Sequence, residues 1–559
     1  MDATVDDSAS GPRRVLSVID VGSSSVRMSC ARIEADGSWT LLADEREMTR
    51  LASSAAGDQV LSAESMERSA DAIARFAAIA RGFGSVPIAV ATAAVRSAKN
   101  QHVFLERVRS VAALELAVLS AHDEARAGFD AVVREADART GPSVVIDIGG
   151  GSLQLTQALH AMVIDRASMP LGAVALSQRV QQAGPRDGES ERREARSICE
   201  GLLRAHVKPR WAGTKRARTL HAFGVGGTFT TLLAMVAKKR GLAIDRRDPK
   251  QVALVGAISR DELRACIEQL AALPQARRDE VPGVSADRAD ILLCGLVAAE
   301  AALARVGASH VRVVAGGVRE GLLSQQARGI TLRSDPLHAN AHTSLIAHAG
   351  AMLDAAAPHV PHAFAPHARH VAHLSLRLFG SLCELLAWGN IVGVGDGGED
   401  ETLLVSHQRA LLHAGALVHD VGVMVQYRGH HKHGARIVRG GAWHGIASLD
   451  VELVALLTRY HRRAHPKERH DAFNRLPAAQ RALLVRLASV LRVADGLDRT
   501  HNQLIEDVRV TREGTGLVVW AVPRGGHAHA GKVQAEVRAA SDKAGLLEEL
   551  VGCDIDVRV

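Results

Sequence analysis

The chain has 559 residues, 68 Lys plus Arg against 61 Asp plus Glu, and a formal charge of +7, which suits an anionic ligand but does not single one out. At about 100–200 residues per domain this length predicts roughly three to five domains, and a 47% apolar content gives them cores to bury, which excludes a disordered chain. Aromatics at 3% exclude stacking platforms for single-stranded nucleic acid, so no DNA or RNA partner is expected; no long uncharged apolar run predicts a membrane span.

Residues 1–13 read as a disordered leader, acidic then basic, without the apolar core of a signal peptide, and a cytoplasmic location is expected. Over 15–43 short apolar runs alternate with Gly/Ser turns (VLSVID, GSSS, VRMSCARI, ADGS, WTLLA), which predicts a β-meander. Helical periodicity follows over 62–82, then the strand-like PIAVATAA, then helices near 100–111 and 121–136. At 144 the opening pattern returns. SVVIDIGGGSLQL repeats the layout of LSVIDVGSSSVRM, so that Asp20 aligns with Asp147, Gly22 with Gly149 and Ser25 with Ser152. Such a repeat predicts two related α/β halves facing one cleft.

From 335 the texture changes to helical patterns rich in Ala, Leu and His, interrupted by GVGDGGEDE at 393–401. The last 55 or so residues return to strands around VRVTREGTGLVVWAV, a short helix at DKAGLLEELVG and a final DIDVRV. The expected organisation is a leader at 1–13, halves at 14–140 and 141–330, a helical domain at 331–505 and a small α+β domain at 506–559. Six scattered cysteines (Cys30, Cys199, Cys266, Cys294, Cys383, Cys553) share no C-x-x-C spacing, which excludes a zinc ribbon and argues for reduced core thiols.

An Asp ending a strand before a Gly/Ser hairpin suits phosphate binding. Bare glycines let the backbone approach an anion, successive N–H groups form a nest, and the carboxylate can meet a hydrated Mg²⁺. The two copies offer Asp20 with Gly22, Ser23, Ser24 and Ser25, and Asp147 with Gly149, Gly150, Gly151 and Ser152. A third loop, GVGGTFTT, places Gly226, Gly227 and Thr228 at the start of an expected helix, where free N–H groups favour anions.

DVGSSSVRM, ATAAVRSAKN, SAHDEARAGF, VIDIGGGSLQL, GVGGT and GGVREGLL occur in the order seen in the exopolyphosphatase/guanosine pentaphosphate phosphohydrolase (Ppx/GppA) family, which residues 14–325 resemble. The resemblance implies a duplicated ribonuclease H-like fold, shared with actin, sugar kinases and heat-shock ATPases. It also implies removal of the terminal phosphate from inorganic polyphosphate or guanosine pentaphosphate with Mg²⁺ or Mn²⁺, and a homodimer. On the matching motifs Glu124 corresponds to the family's catalytic glutamate and Arg96 to its phosphate-binding arginine. A carboxylate beside a metal can accept a proton from attacking water. Ser120 and Asp123 read as a capping box that leaves Glu124 for chemistry. Two positions depart from the pattern: Ser24 replaces an asparagine, and Gln154 replaces a glutamate implicated in metal binding or catalysis. An amide cannot act as a base, so slower, differently metal-dependent or lost activity follows, and a sensor that binds without turnover is the alternative.

Many of the 27 histidines lie after residue 335. HARHVAHLSLRLF, LLHAGALVHDVGV and VLRVADGLDRTH place a His, a His-Asp pair on a helix and a later Asp in order, a donor set for a second divalent metal. This resembles the HD superfamily of metal-dependent phosphohydrolases over 340–505, and the match implies His367, His419, Asp420 and Asp495 as ligands. His430, His431, His433 and His461 could complete a second site or be ordinary histidines. An HD-type centre could also act on a nucleotide or be structural.

Overall fold

The computed structural model describes all residues except 1–13, 35–38, 52–59, 134–135, 183, 185–186, 211–218, 247, 328–340, 387, 389–398, 444, 527–530 and 532. The expected leader and most of the 393–401 loop therefore lie outside the described residues. The chain divides into two compact units, 1–330 and 331–559, so both α/β halves belong to one unit and the C-terminal strands to the other.

In the first half, β1 (Arg14–Val21), β2 (Ser25–Ile33) and β3 (Trp39–Met48) form the expected antiparallel meander, with β4 (Ile88–Ala91) and β5 (Leu116–Val118) parallel beyond β1. The second half repeats this plan. β6 (Pro142–Ile148), β7 (Leu153–Leu159) and β8 (Met162–Met169) are antiparallel, and β9 (His221–Val225) lies parallel to β6. Strands β10 (Ala257–Ser259) and β11 (His310–Val313) complete the order β10-β11-β9-β6-β7-β8. The central strands are buried along almost their whole length because helices pack on both faces. Ile19, Met28, Ile73 and Phe104 centre the first core; Ile146, Leu155, Phe229 and Leu296 centre the second.

Two helix starts border the cleft between the halves. Ser120 caps the helix Ala121–Val132, its hydroxyl oxygen accepting from the Asp123 N–H at 3.1 Å. Asp123 returns its carboxylate to the Ser120 hydroxyl at 2.7 Å, so capping occupies Asp123 and leaves Glu124 on the buried face. The helix Gly227–Lys239 starts at Gly226 without a side-chain cap, which leaves its first N–H groups for another acceptor.

The second unit is built from helices Phe364–Leu386, Glu399–Val418, His430–Gly440, Ser448–Tyr460 and Ala478–Gly496. A sheet of β12 (Ile505–Glu513), β13 (Gly516–Pro523) and β14 (Ile555–Arg558) packs against the first of these: Arg377 forks onto Asp507 at 2.7 and 2.8 Å, and Ser381 Oγ accepts from Val510 N at 2.9 Å. His419 and Asp420 do not lie on a helix as expected. They follow the last turn of Glu399–Val418 and lead into a short 3₁₀ turn, Val421–Met424. The reason is steric: Gly422 passes so close to the start of the next helix that a Cβ there would lie 2.0 Å from His430 O, and the chain must bend to allow it. All six cysteines are free thiols, and among the described residues no helix is long and apolar enough to cross a membrane.

Candidate active site

The sequence repeat becomes a geometric one at the ends of β1 and β6. Gly22 N–H donates to Ser25 O at 3.1 Å, and Gly149 N–H donates to Ser152 O at 3.1 Å, so the two turns close in the same way. They face each other across a cleft of about 900 Å³ lined by Asp20, Gly22, Ser23, Ser24 and Ser25 from one half and Asp147, Gly149, Gly150, Gly151 and Ser152 from the other. The second turn must be glycine because the first one touches it. A Cβ on Gly150 would lie 2.9 Å from Ser24 Oγ, and one on Gly151 2.7 Å from Ser23 Oγ. Gly226 adds the third loop. At φ +90° and with Asp147 Oδ1 only 2.8 Å from where a Cβ would sit, no other residue fits without strain. Gly226 and Gly227 line the cleft.

Two carboxylates and a third near neighbour are held here against the cost of burial. Asp20 is pushed up to about 6 by desolvation, with Arg319 and Arg27 pulling it back. Asp147 is pushed up to about 7 by desolvation, reinforced by Glu124 and Asp20. Glu124 is raised by burial and held down in part by Arg96. Asp20 Oδ1 is buried without a hydrogen-bond partner among the described residues. A buried, unpartnered carboxylate oxygen beside a second carboxylate is a donor set for a hard divalent cation, so the residues fit Mg²⁺ or Mn²⁺.

Not every expected residue reaches the cleft. Arg96 does not line it: its Nη1 donates to Glu124 Oε2 at 2.8 Å and to Leu119 O at 2.8 Å, so it grips the carboxylate rather than facing the anion loops. Thr228 is buried, and a Cβ on Gly295 would lie 2.8 Å from its Oγ1, so its side chain points into the core; Thr230 and Thr231 line the cleft instead. Gln154, opposite Asp147 in the β6–β7 register, stands behind Ser152: its Nε2 donates to Ser152 Oγ at 2.7 Å, and Ser152 Oγ donates to Glu124 Oε1 at 3.4 Å.

The cationic wall of the cleft is not among the sequence expectations. The strand register sets Asp20 beside Arg27 and Arg27 beside Arg46, making a row across three strands. Arg288 and Arg319 join from the second half, with Arg319 Nη1 on Asp44 Oδ1 at 2.6 Å. Burial and mutual repulsion bring Arg27 and Arg288 down to about 10. The signal is nonetheless in the chain: Arg27 lies two residues beyond Ser25 on the same strand face, and Arg319 lies within the GGVREGLL motif.

Comparison with known proteins places this geometry. The sequence model of the Ppx/GppA phosphatase family matches residues 30–328, and that of the Ppx/GppA phosphatase domain III matches 365–519. The chain belongs to the Ppx/GppA phosphatase family. An uncharacterized protein of Streptomyces coelicolor is 31% identical over 55% of this chain and 88% of its own length. Exopolyphosphatase 1 of Mycobacterium tuberculosis is 30% identical over 61% of this chain and 96% of its own length. A guanosine-5'-triphosphate,3'-diphosphate pyrophosphatase of Pseudoalteromonas atlantica is 24% identical over 86% of both chains. Among solved structures, an exopolyphosphatase from Cytophaga hutchinsonii aligns with TM-score 0.51 and 22% identity, covering 57% of this chain and 99% of that one. That likeness shows the fold, the ribonuclease H-like and actin-like architecture of the family.

In domain III the structure brings together the four residues that the HD resemblance singled out. Asp495 Oδ1 lies 3.6 Å from His367 Nε2 and 3.8 Å from His419 Nε2, and Asp420 Oδ2 lies 3.7 Å from His419 Nε2. Two further histidines join. Asp420 Oδ1 is 2.8 Å from His430 Nε2 and 3.4 Å from His461 Nε2. His431 instead lines a separate basic pocket with Lys432, Arg459 and Arg462, and His433 belongs to no such cluster among the described residues.

Proposed function

We propose that the chain hydrolyses the terminal phosphoanhydride bond of inorganic polyphosphate or guanosine pentaphosphate in the cleft of its N-terminal unit. The observation that carries this is the placing of Glu124, buried and gripped by Arg96, at the wall of a cleft where two matching Gly/Ser turns and two aspartates converge. The names of the mycobacterial and Pseudoalteromonas relatives support both substrates.

Backbone N–H groups of 23–25 and 150–152, with the uncapped start of Gly227–Lys239, hold the terminal phosphate oxygens. Arg27, Arg46, Arg288 and Arg319 attract the rest of the polyanion. Glu124, its pKa raised by burial, accepts the proton of a water that adds to the terminal phosphorus. The bridging P–O bond breaks, and orthophosphate leaves the shortened chain. A divalent cation held by Asp20 and Asp147 would neutralise charge on the phosphate oxygens. Positioning and electrostatics supply most of the acceleration in such a transfer.

Colorimetric phosphate release from polyphosphate and guanosine pentaphosphate, with Mg²⁺ or Mn²⁺, tests this. Release by the wild type and its loss in Glu124→Gln is the expected outcome. Gln154 favours one second reading, a sensor; tight polyphosphate binding without any release by the wild type would establish that instead.

Domain III is further proposed to be of the HD type and to bind a divalent metal. The approach of His367, His419, Asp420 and Asp495 supports this.

A further inference from the structure

We infer that domain III carries an anion site of its own, a pocket of about 260 Å³ that takes one phosphoryl group of a small molecule, either free orthophosphate or the phosphate of a mononucleotide. Lys432, Arg459, Arg462 and Arg463 line it, and no described carboxylate does. The pocket shares no residue with the His/Asp cluster, and the inference depends on neither the hydrolase nor the HD-type reading.

The pocket forms where one helix starts and another ends. The helices His430–Gly440 and Ser448–Tyr460 press together so closely that a Cβ on Gly434 would lie 2.6 Å from Thr458 Cγ2, which sets the first turn of one beside the last turn of the other. His431 and Lys432 come from that first turn, which no side chain caps, and Arg459 and Tyr460 come from the last. The positive end of the first helix thus adds to the four cations. The cations are not needed as caps for the second helix. Arg492, buried on the helix Ala478–Gly496, donates to Tyr460 O at 3.0 Å and to Arg463 O at 3.1 Å. The same two bonds hold the loop that carries Arg462 and Arg463, with Arg463 in the left-handed region at φ +61°. Tyr460 and His470 make a wall of the pocket: the hydroxyl meets His470 Nδ1 at 2.9 Å, and the rings stack.

Like charges gathered around one small space repel, and with no carboxylate in the lining an anion is what balances them. Three forked guanidiniums and an ammonium offer more N–H donors than one carboxylate can accept, whereas the oxygens of a phosphoryl dianion match both the charge and the donor number. His431 adds a buried polar group. It is 6% exposed, and its Nδ1 has no hydrogen-bond partner among the described residues, a costly state for a buried nitrogen. Size limits the ligand: at about 260 Å³ against about 900 Å³ for the N-terminal cleft, the pocket encloses a phosphoryl group and a small remainder, not a long chain. Arg462 Nη1 lies 3.4 Å from His430 Nε2, so the pocket borders the His/Asp cluster, and phosphate held through a metal there must be kept apart from phosphate held by the pocket.

The chain has two tyrosines, Tyr427 and Tyr460, and of these only Tyr460 lines the pocket, which makes it a local probe. The full chain is labelled with fluorotyrosine and kept in chelator, so that no metal holds phosphate. Its two fluorine resonances are assigned with Tyr427→Phe. Orthophosphate and guanosine monophosphate are then titrated separately, with sodium chloride of matched ionic strength as the control. The Tyr460 resonance is expected to move and to saturate at millimolar ligand or below, and K432Q/R459Q should bind about 10-fold or more weakly. Movement with orthophosphate alone assigns free phosphate as the ligand, movement with guanosine monophosphate alone assigns a nucleotide, and movement with both assigns the phosphoryl group whatever carries it. A Tyr460 resonance that neither ligand moves overturns the site. So does equal binding by the parent and K432Q/R459Q, or the same shift with chloride. Saturation in the parent needs no variant, so a misfolded double mutant does not remove the test.

Discussion

Glu124 and Arg96 are a buried acid and the cation that keeps it usable. Burial raises the carboxyl, and the Arg96 guanidinium at 2.8 Å opposes the rise. Replacing Glu124 with Gln keeps the shape and removes the proton acceptor, so phosphate release should fall about 10²–10⁴-fold with polyphosphate affinity nearly unchanged; a wild-type rate would reduce Glu124 to a helix residue. Arg96→Ala removes the group that lowers Glu124, so the acid limb of the pH–rate profile should move to higher pH. An unmoved limb would mean that some other group is the base. Gln154 touches the same network through Ser152 and neighbours Asp147 across the β6–β7 ladder. Gln154→Glu adds a third carboxylate beside the proposed cation, so half-maximal activity should come at lower Mg²⁺; superimposable Mg²⁺ titrations would exclude position 154 from the metal environment.

At the scale of elements, the strand–turn–strand repeat was readable because its glycines answer to local geometry. Each turn is closed by the same N–H to C=O bond, four residues from first to last, and needs little from elsewhere in the chain. Gly226 shows how an element's end is instead dictated by a neighbour: its positive φ and the proximity of Ile148 O and Asp147 Oδ1 both forbid a side chain. Gly226→Ala should therefore destabilise the protein by ~2 kcal/mol and weaken polyphosphate binding through the displaced start of Gly227–Lys239. A chemical denaturation midpoint equal to wild type would show that the loop relaxes freely. The His419-Asp420 pair is the converse case. Its local pattern is helical, but the close passage of Gly422 under the helix His430–Gly440 bends the chain off the helix. No local propensity encodes that contact.

Across the whole N-terminal unit, the two halves together create what neither holds alone, a pair of aspartates, Asp147 buried and Asp20 half-buried, whose charges repel. Both have folded pKa values raised from 3.8, to about 6 and about 7, so folding takes up protons in that interval. Their contribution is most favourable below about pH 4 and is lost as the pH rises through 6–7. In chelator at pH 8, Asp147→Asn should raise stability by ~2 kcal/mol and the melting temperature with it, while at pH 4 the two proteins should melt together; Mg²⁺ should recover part of the difference for the wild type only. A variant that melts below wild type at pH 8 would show that the carboxylate is stabilising as it stands.

The sequence by itself determined the features that are local in the chain: the paired Asp–Gly/Ser turns, the Ser120 cap that sets Asp123 apart from Glu124, and the alternation that makes β1–β3 and β6–β8 meanders. Each depends on residues a few positions apart, so spacing alone reveals it. Tertiary structure decided which side chains share a space. It turned Arg96 onto Glu124 and Thr228 into the core, gathered Arg27, Arg46, Arg288 and Arg319 around one cleft, and admitted His430 and His461 to the Asp420 cluster while leaving His431 and His433 outside. These outcomes depend on strand register and helix rotation, which are fixed by packing between segments far apart in the chain, and neighbouring histidines on one helix differ only in which way that packing turns them.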